Sequence, residues 1–346
     1  MYAVIAPEPA PWIAPLLDEL DGPVWLFAPW DLSLFAPLKS ARLARWRCPA
    51  REDTRVRSVP GWPIALAASR LWERGRTDRQ LAARFAFRAA VDALASAALP
   101  LGELRAVIAP SGAARMVFAR ASSLAQPVER TLIQDLPVLS ALHRSLDEAA
   151  SAHPESAFLR RFRAGHSAVS QQRAEWQLAT RVRSRGSYAT RSLREFGCTT
   201  QIDEPAPVGR SAPLAIPSRP NTILLAGFAA ARNGTHEALA LLHALPESTL
   251  LVRRGEGSEP RALFEHPRVR ESTRLERETL SGVDVVIAPA FVEGYSPEIS
   301  AAIARGVPIV ATERACGACV PDARIDRPSD LHHAFAELQT RFASVR

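Results

Sequence analysis

Lysine is almost missing from this chain. Of 43 basic residues only Lys39 is a lysine; every other one is arginine. Together with abundant alanine, that reads as genome composition, so the formal charge of +7 does not by itself point to an anionic partner. Cysteine is scarce too. Cys48, Cys198, Cys316 and Cys319 are too few and too scattered for a disulfide framework, which excludes the small disulfide-stapled class. Cys316-Gly-Ala-Cys319 is a lone CxxC with no second ligand pair at zinc-site spacing, so it reads as a small-residue loop and no metal is expected. No run approaches the roughly 18 apolar residues of a membrane span. The opening MYAVIAPEPAPW has no positively charged n-region, which argues against a signal peptide and for a cytoplasmic protein.

What is present is more informative. The 346 residues are enough for two domains, and an apolar fraction of 47% fills two cores. Residues 1–200 hold 27 of the 43 basic and 18 of the 36 acidic residues, leaving 16 and 18 for residues 201–346. All seven tryptophans also lie in the first part, so the two parts are expected to meet different partners. Short apolar strands alternate with amphipathic helices, the pattern of parallel α/β sheets. Strands are predicted at 2–6, 24–28, 106–109, 131–134, 222–226, 249–252, 283–288 and 308–311. Helices are predicted at 12–20, 66–99 (broken near Gly75), in the stretch up to 179, and at 235–245, 297–305 and 331–342. Residues 202–220 hold five prolines and no helical periodicity, a linker that separates domain 1–203 from domain 204–346.

In parallel sheets, ligands bind beyond the carboxyl ends of the strands. Three such turns of the second domain are rich in glycine and charge. Gly227-Phe228 follows TILLA and leads to Arg232-Asn233-Gly234 at a helix start. Arg253-Arg254-Gly255-Glu256-Gly257 follows LLV. Glu293-Gly294-Tyr295-Ser296 follows VDVVIAPA, with Pro297 at a first helical turn. The loop after PIVAT is a fourth. A helix N-terminus offers free N–H groups to phosphate, glycine permits close approach, and arginine pairs with a diphosphate. Each turn alone reads as an ordinary βα turn; their number and order point to an anion site.

In this order the turns resemble the C-terminal half of family 4 retaining glycosyltransferases of the GT-B fold. The family's run Glu-Gly-Phe-Gly-x-Pro-x-x-Glu-Ala-x-Ala-x-Gly-x-Pro-x-Val is similar to EGYSPEISAAIARGVPIVA, with the spacing from Glu293 to Gly306 kept. LVRRGEG is similar to the family's strand ending in Gly-Glu/Asp-Gly. LATRVRSRGSYATRSLREFG (178–197) is similar to the segment before the hinge, where a strand ends in Ser. The likeness covers about residues 173–312. It implies two Rossmann-like domains facing across a cleft, with an acceptor-side domain 1–203 and a nucleotide-sugar domain 204–346. It implies transfer of a sugar from a nucleotide-diphosphate sugar to a hydroxyl of a glycan or lipid-linked acceptor, with retention, without a metal, and with no cofactor beyond the donor.

The same likeness assigns residues. Glu293 matches the glutamate facing the donor sugar. Gly294, Tyr295 and Ser296 match the turn holding the diphosphate. Gly227, Arg232, Asn233, Arg253, Arg254, Gly255 and Glu256 fall on the donor side. The second motif glutamate, which holds the ribose, falls on Ala301; Glu298 lies three positions earlier. The family's basic pair falls on Phe228 and Asn233, with Arg232 one place away. Its Gly-Gly turn after the first strand reads Pro7-Glu8-Pro9, and its histidine after a later strand reads Gln134-Asp135.

Asp135 follows a strand and reads either as a cleft carboxylate acting on an acceptor hydroxyl or as a helix cap. His143 reads as a structural histidine, and His236-Glu237 lacks a second histidine at zinc-motif spacing. Residues 39–57 hold seven basic residues and Trp46. They read as a solvated arginine face or as a peripheral contact with anionic lipid at the inner membrane face. No nucleic-acid motif is present and none is expected as partner. A nucleotide-sugar epimerase and a non-catalytic sugar-nucleotide or partner-binding relative remain as alternatives.

Overall fold

The computed structural model describes residues 1–8, 10, 12–28, 54–59, 67, 79–100, 102–210, 214–215, 220–255, 259–272, 280–292 and 296–336. They form two compact units. The first comprises residues 1–134, 163–184 and 197–203; the second comprises 135–162, 185–196 and 204–346.

The first unit is built on a fully parallel seven-stranded sheet in the order β3-β2-β1-β4-β5-β6-β7. Its strands are β1 (Tyr2–Ile5), β2 (Val24–Ala28), β3 (Thr54–Ser58), β4 (Ala106–Pro110), β5 (Glu129–Gln134), β6 (Arg181–Ser184) and β7 (Ile202–Asp203). The helices in this stretch of chain are α1 (Ile13–Glu19), α2 (Gln80–Ala98), α3 (Arg115–Ser122), α4 (Leu139–Ala152), α5 (Ala157–Arg161), α6 (His166–Leu178) and α7 (Ser187–Glu195). The central strands β1 and β4 are buried along nearly their whole length, as a doubly covered parallel sheet requires. The edge strand β3 belongs to the arginine-rich stretch: Arg57 lays its guanidinium 3.4 Å from the centroid of the Trp25 ring. Residues 39–53 lie outside the described residues.

The second unit repeats the plan in six parallel strands, β10-β9-β8-β11-β12-β13. These are β8 (Thr222–Phe228), β9 (Thr249–Arg253), β10 (Val269–Glu271), β11 (Val285–Ala288), β12 (Ile309–Thr312) and β13 (Ala323–Ile325). The helices are α8 (Thr235–Ala244), α9 (Arg261–Glu265), α10 (Pro297–Arg305) and α11 (Glu313–Cys316). Alternate side chains of one strand reach opposite cores: Leu225 and Ile287 pack with Leu241 of α8, while Leu224 and Val286 pack with Ile299 and Ala302 of α10. Pro297 opens α10, and Gly306, at φ +69°, ends it in a left-handed turn. There the Val307 N–H donates to Ala302 O at 3.0 Å. Both sheets reverse strand order beside their first strand, at β1/β4 and at β8/β11, the switch point where such sheets take ligands.

One buried device in the first unit titrates. The carboxylate of Glu175 on α6 accepts N–H bonds from Gly112 (2.8 Å) and Ala114 (3.1 Å), and Asp92 accepts those of Met116 (2.7 Å) and Val117 (3.0 Å). Two side chains from distant helices thus satisfy the free N–H groups where α3 begins. Burial pushes the Glu175 carboxyl up to about 7, against the pull of its N–H donors and with the Asp92 charge adding to the rise. A raised carboxyl binds a proton in the folded state that the unfolded chain has released, so stability falls as pH rises from about 4.5 to about 7. The expected cost is on the order of 3 kcal/mol. Glu175→Gln should flatten that slope in urea melts of the full chain at pH 5, 6, 7 and 8; an unchanged slope would assign it to another group.

Candidate functional site

At the switch point of the second sheet, β8 ends in Gly227 and Phe228. Gly227 has φ +81°, a conformation that glycine adopts without strain. The chain then turns through residues 231–233 into Gly234, at φ +77°. A Cβ there would lie 2.1 Å from the Pro289 carbonyl oxygen, so only glycine lets the start of α8 approach the segment after β11. Asn233 is buried, and its Nδ2 donates to the Phe228 carbonyl at 2.8 Å. That amide braces the turn from within. Its Oδ1 has no hydrogen-bond partner among the described residues. The Arg232 guanidinium stacks 4.6 Å from the centroid of the Phe162 ring, and its carbonyl accepts the Phe291 N–H at 2.9 Å.

Arg253 closes β9 in register with Phe228. Its guanidinium lies 4.1 Å from the Phe228 ring centroid and 2.9 Å from Glu298 Oε1. Glu298 is buried in the first turn of α10, 1% exposed, and its other oxygen accepts from Ser296 Oγ at 2.5 Å. A carboxylate near a helix N-terminus is favoured by the helix dipole. Here it is buried, and Arg253 Nη2 lies beside its Oε1 as a charge contact, although that oxygen has no hydrogen-bond partner among the described residues. Gly255 leaves room for Phe228, since a Cβ would fall 2.5 Å from that ring. Phe228 itself is 43% exposed.

The structure therefore brings together Gly227, Asn233, Arg253, Gly255, Ser296 and Glu298. Arg254 points elsewhere: it forms a bidentate pair with Glu271 (2.8 and 2.5 Å) and stacks on Phe264 at the exposed edge of β9 and β10. Asp135 lies in a small separate recess lined by Arg185, Tyr188 and Arg314. Ala301, at the place of the family's ribose glutamate, packs its methyl group against the α10 core. Glu256, Glu293, Gly294 and Tyr295 lie outside the described residues. Cys316 and Cys319 are unpaired, and burial pushes the Cys316 thiol up to about 12, which removes it as a thiolate at neutral pH.

Sequence reasoning missed a second group in this unit. His153, Glu155 and His236 lie together, with Glu237 behind His153. No spacing pattern announces it, because its members come from segments about eighty residues apart.

No family model matches the chain, and no curated protein matches it in sequence. Solved structures match its fold. A sucrose-phosphate synthase from Thermosynechococcus elongatus has a TM-score of 0.59 at 16% identity, over 99% of this chain and 90% of that one. An α,α-trehalose-phosphate synthase (UDP-forming) from Burkholderia xenovorans, in complex with glucose-6-phosphate, has a TM-score of 0.52 at 11% identity, over 98% and 91%. A trehalose-6-phosphate protein from E. coli bound with UDP-2-fluoro glucose has 0.53 at 10%, over 100% and 91%. With two parallel Rossmann-like sheets along almost the full length of these enzymes, the chain has the GT-B fold.

Proposed function

We propose that this protein is a glycosyltransferase that moves a sugar from a nucleotide-diphosphate sugar to a hydroxyl of a glycan or lipid-linked acceptor. The observation that carries the reading is Arg253. It places a guanidinium at the switch point of the second sheet, over Phe228, where the family resemblance expects the first of two basic residues. In this reading Arg253 supplies that positive charge from a position 25 residues later in sequence. A cation there offsets the charge of a leaving diphosphate. Gly227 and Gly234 let backbone approach the same place.

In this reading Arg253 and the turn before α10 hold the diphosphate, Glu298 orients Arg253, and Glu293 faces the sugar. Asp135 serves the acceptor hydroxyl. Retention at the anomeric carbon, metal-independent transfer and a cytoplasmic location with peripheral contact to anionic lipid belong to the same proposal. One observation favours a second reading, a sugar-nucleotide-binding protein without turnover. Phe228 and Asn233 replace both residues of the family's basic pair, and the Asn233 amide is engaged on the Phe228 carbonyl.

Titration calorimetry with UDP, GDP and ADP and their sugars tests both. One diphosphate sugar is expected to bind below about 1 mM, and incubation with candidate acceptors should then yield a glycoside. Binding without product selects the second reading; an isomerised donor selects an epimerase. Absence of binding by every nucleotide at millimolar concentration would sink the transferase proposal.

A further inference from the structure

The histidine group has the form of a metal site. His153 follows α4 and Glu155 lies two residues on, while His236 stands in the first turn of α8. Glu155 Oε1 lies 3.7 Å from His153 Nδ1 and 3.6 Å from His236 Nδ1. Those separations are too long for hydrogen bonds. They are near the separation of about 3.3 Å between neighbouring ligand atoms on a tetrahedral ion with bonds of about 2.0–2.1 Å. We propose that His153 Nδ1, His236 Nδ1 and a Glu155 carboxylate oxygen bind one divalent transition-metal ion, of which zinc best suits two imidazoles and a carboxylate.

Two further features fit. His153 Nε2 lies 2.8 Å from Glu237 Oε1, and Glu237 is 93% buried on its side chain. Such a carboxylate accepts a hydrogen bond from Nε2–H and leaves the Nδ1 lone pair facing Glu155, the arrangement that orients metal-bound histidines. The two imidazoles stack at 4.0 Å between centroids with an interplanar angle of 16°. One ring would have to rotate out of this stack about its Cβ–Cγ bond to aim both Nδ1 lone pairs at one ion. Glu155 is exposed, so an ion has an entry path.

The site would tie the segment after α4 to the start of α8. The His153 ring also meets the Phe291 ring edge-on at 6.1 Å between centroids, and Phe291 hydrogen-bonds to the Arg232 carbonyl. A metal here would brace the contact between Phe291 and the Arg232 carbonyl. Three protein ligands leave one position of the ion to water, and the site stands whether or not the protein proves to be a glycosyltransferase.

The test is titration of Zn2+ against a chromophoric chelator, using untagged, metal-stripped full chain. One equivalent is expected to bind with micromolar or tighter affinity and to raise Tm. His236→Gln and His153→Gln should each weaken binding at least 100-fold, and Glu237→Gln about tenfold. Glu155→Gln changes an exposed side chain, so it should keep the metal-free Tm and still lose at least tenfold in affinity. X-ray absorption of the zinc-loaded protein should show nitrogen and oxygen ligands only. Zinc binding undiminished in the His236→Gln and Glu155→Gln variants, sulfur at about 2.3 Å (the mark of Cys316 and Cys319), or no binding at 10–100 micromolar zinc would each overturn the proposal.

Discussion

Arg88→Met is expected to destabilise the first unit by about 3–5 kcal/mol, the range for removing one partner of a buried ion pair. Arg88, in the middle of α2, is 1% exposed. Its Nη1 donates to the Ser111 carbonyl at 2.6 Å, and its Nε and Nη2 donate to Glu8 Oε1. Arg84, one helical turn earlier, donates to the same oxygen at 2.8 and 2.5 Å. Glu8 follows β1, so this pair of guanidiniums fastens the switch-point loop of the first sheet to α2. Burial would raise the Glu8 carboxyl, but the charges of Arg88 and Arg84 outweigh it and hold the group down at about 2. A depressed carboxyl gives stability that is present above about 4.5 and lost as pH falls toward 2. The variant should therefore lose stability at pH 7 and also lose much of the wild-type acid sensitivity between those values. Hydrogen exchange of the β1 and β4 amides in the full chain reads both effects. Glu8→Gln combined with Arg88→Met should recover part of the loss, because the half-buried carboxylate that Arg84 alone would have to neutralise is then gone and Arg84 can turn to water. Protection equal to wild type in Arg88→Met would show that Arg84 alone suffices.

That ion cluster also shows where sequence reading stops. The central strands were legible: YAVI, VWLFA, AVIAP, TILLAGF and VVIA are apolar runs because both faces of a parallel strand are covered. Edge strands were not. β3 (TRVRS), β10 (VRE) and β13 (ARI) carry arginine or glutamate where one side faces water, so their composition resembles a loop. The helix α10 was read to the residue because Pro297 and Gly306 mark both of its ends. Glu8, read as part of a Pro-rich turn, gained its partners only from a helix 76 to 80 residues away. The same limit applied to the candidate site. Glycine turns at strand ends are local and were visible. The pairing of Arg253 with Glu298, the turning of Arg254 toward Glu271, and the meeting of His153 with His236 depend on which strands lie side by side.

Arg253→Ala is expected to weaken nucleotide-sugar binding by about 10–100-fold, equivalent to about 1.5–3 kcal/mol for charge-assisted hydrogen bonds to phosphate. Phe228 supports the face of the Arg253 guanidinium, and Glu298 Oε1 lies 2.9 Å from its Nη2. A side chain already held in one rotamer loses little entropy on binding. Glu298 can act in two ways, and affinity separates them. If it only orients Arg253, Glu298→Gln should weaken binding by less than Arg253→Ala does. If it competes with the diphosphate for the guanidinium, Glu298→Gln should tighten it. We expect the first, because Glu298 is also held by Ser296 and lies within the first turn of α10 rather than on the side open to a ligand. Removing Arg253 alone strands a buried carboxylate, so folding must be separated from binding. The double variant Arg253→Met, Glu298→Gln removes both charges and should melt near wild type while binding as weakly as Arg253→Ala. Wild-type affinity in that folded double variant would move the diphosphate away from this guanidinium, and Arg232 would be the next residue to replace.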